Sequence, residues 1–395
     1  GQSKIEWGGL KVTFGLSEGV KQYVMNFGTL LSTEQFTYSN INIETNNVNP
    51  DDVTIIFNFN DSEVERFISF DGLKDYANRV IYNFPNADYI KIENTNIYGT
   101  ILAPNAEVII NNGEIKGQIF AQSLSVTWPS LKEVAIFDGK VLDNQGNNLS
   151  IKKIISENYG DGDGDETDND SDNSENDVDD GDDSSVKVDD DNDDEDAEEV
   201  EEVDDDDDND DDDDNNKDDD DDDNEDGDDE DDDNDDEIPK DIPIPSNLDG
   251  STCKIDENPL GITSSFGVFS FNDFKAYNSD VQGRVAAKNI LEVTSYHINE
   301  KVYNGKEYRC NESPLKDDFP FAIVAGTVTI SNSNVINGGI TYTNNADKLD
   351  RELKKKIMSN GCSVIKDPYL DFDFIEKNIN VISRQLSTLK DNGAV

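Results

Sequence analysis

Residues 88–123 constrain this chain most, because they repeat. Written as two lines of 18, DYIKIENTNIYGTILAPN stands over AEVIINNGEIKGQIFAQS. Ile90 falls over Val108, Ile92 over Ile110, Ile97 over Ile115, Gly99 over Gly117, Ile101 over Ile119 and Ala103 over Ala121. A fixed period with alternating apolar positions and a recurring glycine suits one coil of a β-solenoid (β-helix). Short strands there turn at Gly and Asn and stack their inward side chains. A helical repeat needs roughly 30 residues or more and a 3.6-residue apolar spacing, and neither is present. The stretch predicts two stacked coils.

The charge shows where folding stops. Of 90 acidic residues, 51 lie between Gly160 and Glu237, against two of the 32 basic ones, Lys187 and Lys217. That tract carries −49 of the net −58 and leaves −9 for the rest. Asp/Asn sequence this poor in apolar residues cannot offset the entropy of ordering. Residues 151–247 are therefore expected to be a disordered, self-repelling linker, leaving through the proline-spaced IPKDIPIP. Two blocks, 1–150 and 248–395, remain long enough for sizeable cores. The tract repels nucleic acid and anionic membranes, and no 18-residue apolar run exists to insert into a bilayer. The chain begins at Gly1 without Met or signal peptide, and a mature form or a segment of something longer is expected.

Both blocks read as mainly β. GGLKVTF, VTIIFNF and RVIYNFPNA lead into the repeat, with Asn and Asp in the turns. Leu124–Trp128 and Lys132–Phe137 suggest a closing strand pair, and residues 138–150 a polar loop. In the second block, GRVAAKN places Gly283, Val285 and Ala287 as Gly99, Ile101 and Ala103 stand in the first. NGGITY repeats the Gly-x-Ile corner at Gly338 and Ile340. Asp347–Met358 reads as a charged helix. Ile375, Ile379, Ile382, Leu386 and Leu389 make an amphipathic stripe over about 371–390, ended by Asn392-Gly393. Such a helix needs an apolar flank to lie on.

The segment from Tyr82 to Leu124 resembles the later part of the choice-of-anchor A domain. The matching residues are Asn83–Ala87, the G-x-ILAPNA coil (Gly99, Ala103, Pro104, Asn105, Ala106) and an inner coil at Gly117–Ala121. LGITSSFGVFSFNDF, the Gly283 corner and the 371–390 helix resemble the same domain's early part, with Lys288 where glycine is common. The halves stand in reverse order. Two readings compete: a segment cut from a tandem array, which is preferred, or a circular permutation closing on itself. In either case the halves are complementary. The resemblance implies extracellular, cell-surface display of a secreted adhesin, with neighbouring copies of the domain as partners.

Catalytic chemistry finds little purchase. The outward residues Lys91, Glu93, Glu107, Glu114 and Lys116 are of mixed sign, as a solvated face would be. His297, the sole histidine, lacks a nucleophile's signature around it and reads as a surface or turn residue. No cofactor is expected. Asp161, Asp163 and Asp165 alternate as calcium ligands can, yet Glu166 replaces the turn glycine; weak, diffuse Ca²⁺ condensation on the tract is the expectation. Cys253, Cys310 and Cys362 form no CxxC, and one disulfide among them is expected rather than zinc. Sequons at Asn60, Asn148, Asn169 and Asn311 permit glycosylation in a eukaryotic host.

A binding role fits better. Asn94, Asn96, Asn111, Asn112, Asn332 and Asn334 could present amides to a repetitive ligand such as a glycan or to other surface proteins. The preferred expectation is that they serve turn geometry or internal Asn ladders. Trp7 and Trp128 could be sugar-stacking platforms, but core or cap positions are the expectation for each. The reading is a non-enzymatic surface adhesin. A scaffold module of a surface-attached polysaccharide-degrading complex is the alternative, and a carbohydrate-active β-helix enzyme comes third.

Overall fold

A computed structural model describes residues 2–6, 9–27, 40–67, 70–131, 134–149, 258–299, 309–310, 321–333 and 336–392. Trp7, Cys253, Asn334 and the linker with Asp161, Asp163 and Asp165 lie outside them. The described residues, 2–149 and 258–392, fall within one compact unit.

The first segment contributes β1 (Gln2–Glu6), β2 (Gly9–Gly15), β3 (Gln22–Phe27), β4 (Asn40–Glu44), β5 (Thr54–Phe59) and β6 (Glu63–Val64). It continues with β7 (Phe70–Asp71), β8 (Val80–Asn83), β9 (Tyr89–Glu93), β10 (Ile97–Tyr98), β11 (Thr100–Lys116) and β12 (Ile119–Leu131). The second supplies β13 (Val268–Ser270), β14 (Phe274–Val281), β15 (Val285–Ile298), β16 (Phe321–Ser331), β17 (Gly339–Leu349) and β18 (Val364–Lys366). Two helices complete it: α1 (Arg351–Ser359) and α2 (Phe372–Ser387).

Mostly β, the fold is dominated by a 14-stranded sheet whose main path runs β18-β17-β16-β15-β13-β12-β11-β8-β5-β3. Every named pair in it is parallel. The long strands turn corners, so pairings fall into three rows. Ile101↔Ile119↔Val268↔Val285↔Ile323↔Ile340 marks the first. Ile90↔Val108↔Leu124↔Phe274↔Leu291↔Val328 marks the second, and Ile97↔Ile115 belongs to the third. All these side chains are buried in one core.

The 18-residue offset holds inside the repeat and loosens elsewhere. Val268 faces Val285, seventeen residues on, Val80 is reached from Ile55 by twenty-five, and Val285 from Ile323 by thirty-eight. Corners absorb the difference. Within the repeat, Gly99 has φ +141°, and a Cβ on Gly117 would stand 2.0 Å from the Gly99 carbonyl oxygen. Only glycine on glycine permits that approach. At the next corner Ala103 and Ala106 are buried around Pro104, and the Asn105 amide donates to Pro85 O at 3.1 Å. Gly283 lies close against Gly267, and Gly338 has φ +135°.

First-row strands are apolar on both sides. Ile55 and Phe57 point inward, while Val24, Ile56, Ile81, Leu102, Phe120, Phe269, Ala286 and Val324 form an outer apolar row. Helix α2 covers that row with Ile375, Ile379, Ile382 and Leu386, followed by Leu389. Each contributes about 2 kcal/mol of burial. Beneath the helix runs an amide ladder. Asn83 donates to Asn58 and Asn58 to Asn26, both at 2.8 Å. The same three amides donate to the carbonyls of Ser383, Leu386 and Leu389. One residue on, Phe27, Phe59 and Phe84 stack at 5.0 and 4.7 Å. The dipeptide Asn-Phe therefore serves twice, with amide outward to the helix and ring inward to the core.

Several expectations change. Residues 134–137 form no strand; Phe137 is buried instead, its N–H donating to Gln118 Oε1 at 2.9 Å. Within 138–149, Val141 and Leu149 enter the core under α2, so this is more than a polar loop. Asp347–Leu349 finish β17, because Asp350 caps α1 through the Glu352 and Leu353 N–H groups. Helix α2 stops at Ser387 with Thr388 as its cap. Asn392, expected as the stop, instead accepts from Val24 N–H at 2.7 Å and donates to Gln22 O at 2.9 Å, capping β3. Lys288 pairs with Asp373 and, at 3.5 Å, with Glu376 of α2.

The two segments join side by side. Ile119 pairs Val268 and Leu124 pairs Phe274. The wholly buried Gln118 amide donates to the Ser264 and Phe266 carbonyls.

Candidate binding face

The second row offers a broad face because its strands alternate cleanly. Ile90, Ile92, Val108, Ile110, Leu124, Val126, Phe274, Ala276, Leu291, Val293, Val328 and Ile330 point into the core. The residues between them are partly or fully exposed, and register aligns them in columns. One column runs Lys91, Ile109, Ser125, Lys275, Glu292, Thr329 and Lys348; the next runs Glu93, Asn111, Thr127, Tyr277, Thr294 and Ser331. Neighbouring rungs of such a sheet stand about 4.8 Å apart. Apart from Ile109, the face is thus a regular grid of hydroxyl, amide and charged groups.

One opposite-charge pair on it neutralises itself. Lys91 and Glu93 pair at 2.9 Å. Their hydrogen bond raises the lysine pKa and lowers that of the glutamate. Thr294 and Ser331 hydroxyls bond at 3.0 Å.

A corner follows the face, and six of its rungs enter it through a residue with positive φ. These are Asn94 (50°), Asn112 (58°), Trp128 (60°), Asn278 (56°), Ser295 (51°) and Asn332 (53°). The expected asparagines separate here. Asn112 donates to Asn94 at 2.8 Å, and Asn96 accepts from Glu114 N–H at 3.0 Å. Asn94, Asn96 and Asn112 therefore serve the corner, and Asn111 alone lies on the grid, near Glu93 Oε1 at 3.5 Å. The sequence reading missed Ser125, Thr127, Tyr277, Thr294, Thr329 and Ser331. Strict alternation in SVT, KAY, LEVT and TVTIS could have found them. Trp128, expected in a core or cap, is 66 % exposed.

The other candidates are dispersed. His297 lies in β15, in register with Asp280, rather than in a turn. A cleft of about 910 Å³ is lined by Asp51, Arg79, Asp138 and neighbours. The Asp51 and Asp138 carboxylates flank the Arg79 guanidinium at 3.0 and 3.1 Å, an ion triplet rather than an acid/base pair. Partial burial pushes the Asp138 carboxyl up, against the pull of Arg79. Among the described residues no three His, Cys, Asp or Glu side chains cluster as metal ligands, and no helix is long and apolar enough to cross a membrane. Cys310 and Cys362 form a disulfide.

With this geometry in place, comparison with known proteins adds one finding. A family model described as a putative ice-binding-like adhesive domain matches residues 1–130 and 259–395. Its description differs from the resemblance drawn from the motifs, and its two matched segments leave out the acidic tract. No curated protein and no solved structure matches the chain.

Proposed function

The chain belongs to the ice-binding-like adhesive domain family, and on that premise we propose that it is a non-enzymatic adhesin displayed outside the cell. In this reading the three parallel rows are the sides of a β-solenoid, and its second-row grid holds a repetitive surface ligand. The observation that carries it is the register of that grid. Seven strands bring Ser, Thr, Asn, Tyr, Lys and Glu side chains outward at constant spacing over a core that fixes them. A preorganised array loses little entropy on binding a periodic partner. Charged groups such as Lys275, Glu292 and Lys348 on the grid favour a hydrated polymer, a glycan or a surface protein, over an ice lattice.

The finer parts of this reading are a choice-of-anchor A type architecture, residues 151–247 as an extended spacer, and neighbouring copies of the domain as further partners. Binding of the purified chain to immobilised glycans and cell-wall material tests the reading. We expect saturable binding, lost when Ser125→Asp, Thr294→Asp and Thr329→Asp are combined. Binding to none of these surfaces would leave the scaffold role. Thermal hysteresis with no polymer binding would replace the adhesive ligand by ice. Release of reducing ends from a polysaccharide would overturn the non-enzymatic assignment.

A further inference from the structure

The corner column beside the grid has one occupant that the fold does not explain. Five of its six positive-φ positions hold Asn or Ser, residues whose short polar side chains tolerate left-handed backbone. The sixth holds Trp128, where the conformation is a genuine outlier for a bulky side chain. Pro129 follows it and restricts it further. The indole gives little to the core in return, being 66 % exposed. Strain held at an exposed position points to a use outside the fold.

Its surroundings name the chemistry. Register places Asn112 on one side of Trp128 and Asn278 on the other, with Asn111, Thr127 and Tyr277 on the adjoining column of the grid. All five neighbours are uncharged, and they offer amides and hydroxyls beside a flat aromatic surface. Building on the adhesive reading above, we propose that Trp128 is the anchor of a subsite for a neutral glycan. The indole stacks on the C–H face of a pyranose ring. The Asn111, Thr127 and Tyr277 side chains take hydrogen bonds from, or give them to, its hydroxyls. An anionic ligand would instead meet a chain whose net charge is −9 even without the acidic tract.

The experiment uses the full chain. With Trp7→Phe, Trp128 becomes the only indole, and its emission is followed while cellohexaose or chitohexaose is added. A saturating blue shift is expected. In the otherwise native chain, calorimetry with the same sugars should show Trp128→Ala weakening binding by about tenfold or more, and Trp128→Phe falling in between. Trp128→Asn should weaken binding as much while raising the melting temperature by about 2 °C or more, because the corner relaxes. Unchanged affinity in both the Ala and Asn variants, with the native chain still adhering to cell-wall material, would overturn the anchor and leave the adhesive reading standing. A Trp128→Asn variant that melts lower would make the indole a structural element and overturn the proposal. Adhesion abolished by protease treatment of the target and undiminished by its digestion with cellulase and chitinase would assign a protein partner in place of a glycan. Adhesion to nothing would remove both readings.

Discussion

Asn83 and Ser383 bind each other twice across 300 residues of sequence: the Asn83 amide donates to Ser383 O at 2.8 Å, and the Ser383 hydroxyl donates to Asn83 Oδ1 at 2.6 Å. Both are buried, between β8 and α2. Asn83 also ends the amide ladder through Asn58 and Asn26, so this pair ties the last helix to the first segment's sheet.

Removing that amide should be expensive. Asn83→Ala strands Asn58 Oδ1 and the Ser383 groups away from water, and a loss of about 2–3 kcal/mol in urea unfolding is expected. Ser383→Ala should cost about 1 kcal/mol, and the double variant less than the sum, since the two share a network. Additive losses would show that the bonds are independent of one another.

Gly117→Ala tests the glycine column. Its Cβ would stand 2.0 Å from the Gly99 carbonyl oxygen, which belongs to the backbone and cannot swing away. We expect a loss of at least about 3 kcal/mol, or failure to fold. Gly146→Ala is the control: its φ is +85°, but nothing lies within 4 Å, so only the backbone strain, about 1 kcal/mol, is at stake.

Two buried tyrosines set the alkaline limit of stability. Burial raises the pKa of Tyr82 and of Tyr296 above the ordinary phenol range. A group whose folded pKa is raised stabilises fully below its unfolded value, about 10, and loses that contribution as pH climbs past it. Stability should therefore fall above pH ~10, and Tyr→Phe at either site should flatten the slope. At neutral pH the two should differ. Tyr82→Phe loses a 3.1 Å bond to Tyr98 O, at about 1 kcal/mol. The Tyr296 hydroxyl finds no hydrogen-bond partner among the described residues, so Tyr296→Phe should be neutral or stabilising.

Cleavage inside the acidic tract should leave the folded unit whole. Residues 1–149 and 258–392 share the β12–β13 and β12–β14 pairings, the Gln118 bonds and the cover of α2. Both fragments should co-elute at 1:1 on native gel filtration after nicking. Separation into two species would show that the covalent link is required.

Residues 88–123 announced their own pairing, because an identical period leaves an identical side-chain direction on each rung. For the same reason the stripe from Ile375 to Leu389 announced a helix with one apolar side. The asparagine candidates were legible as turn formers, since a left-handed corner selects Asn whatever the rest of the molecule does. Each of these is a local property, repeated over a few residues.

Other features depended on partners far away in sequence. Corner loops change the spacing between rungs, so no period in the chain says that Val268 lies against Ile119, or that Asn26, Asn58 and Asn83 stack beneath the carbonyls of Ser383 and Leu386 in α2 and of Leu389 just beyond it. The grid residues were polar positions in short strands until their register made them columns. Trp128 read as a core or cap aromatic, with a sugar platform as the alternative, until the fold set it at an exposed corner with φ +60°. The sequence by itself determined the strand type, the inward face and the covering helix, because alternation and helical spacing are written into neighbouring residues. Only the tertiary structure decided which rungs adjoin and which side chains share a surface, because parallel pairing joins residues through backbone hydrogen bonds that carry no trace of side-chain identity.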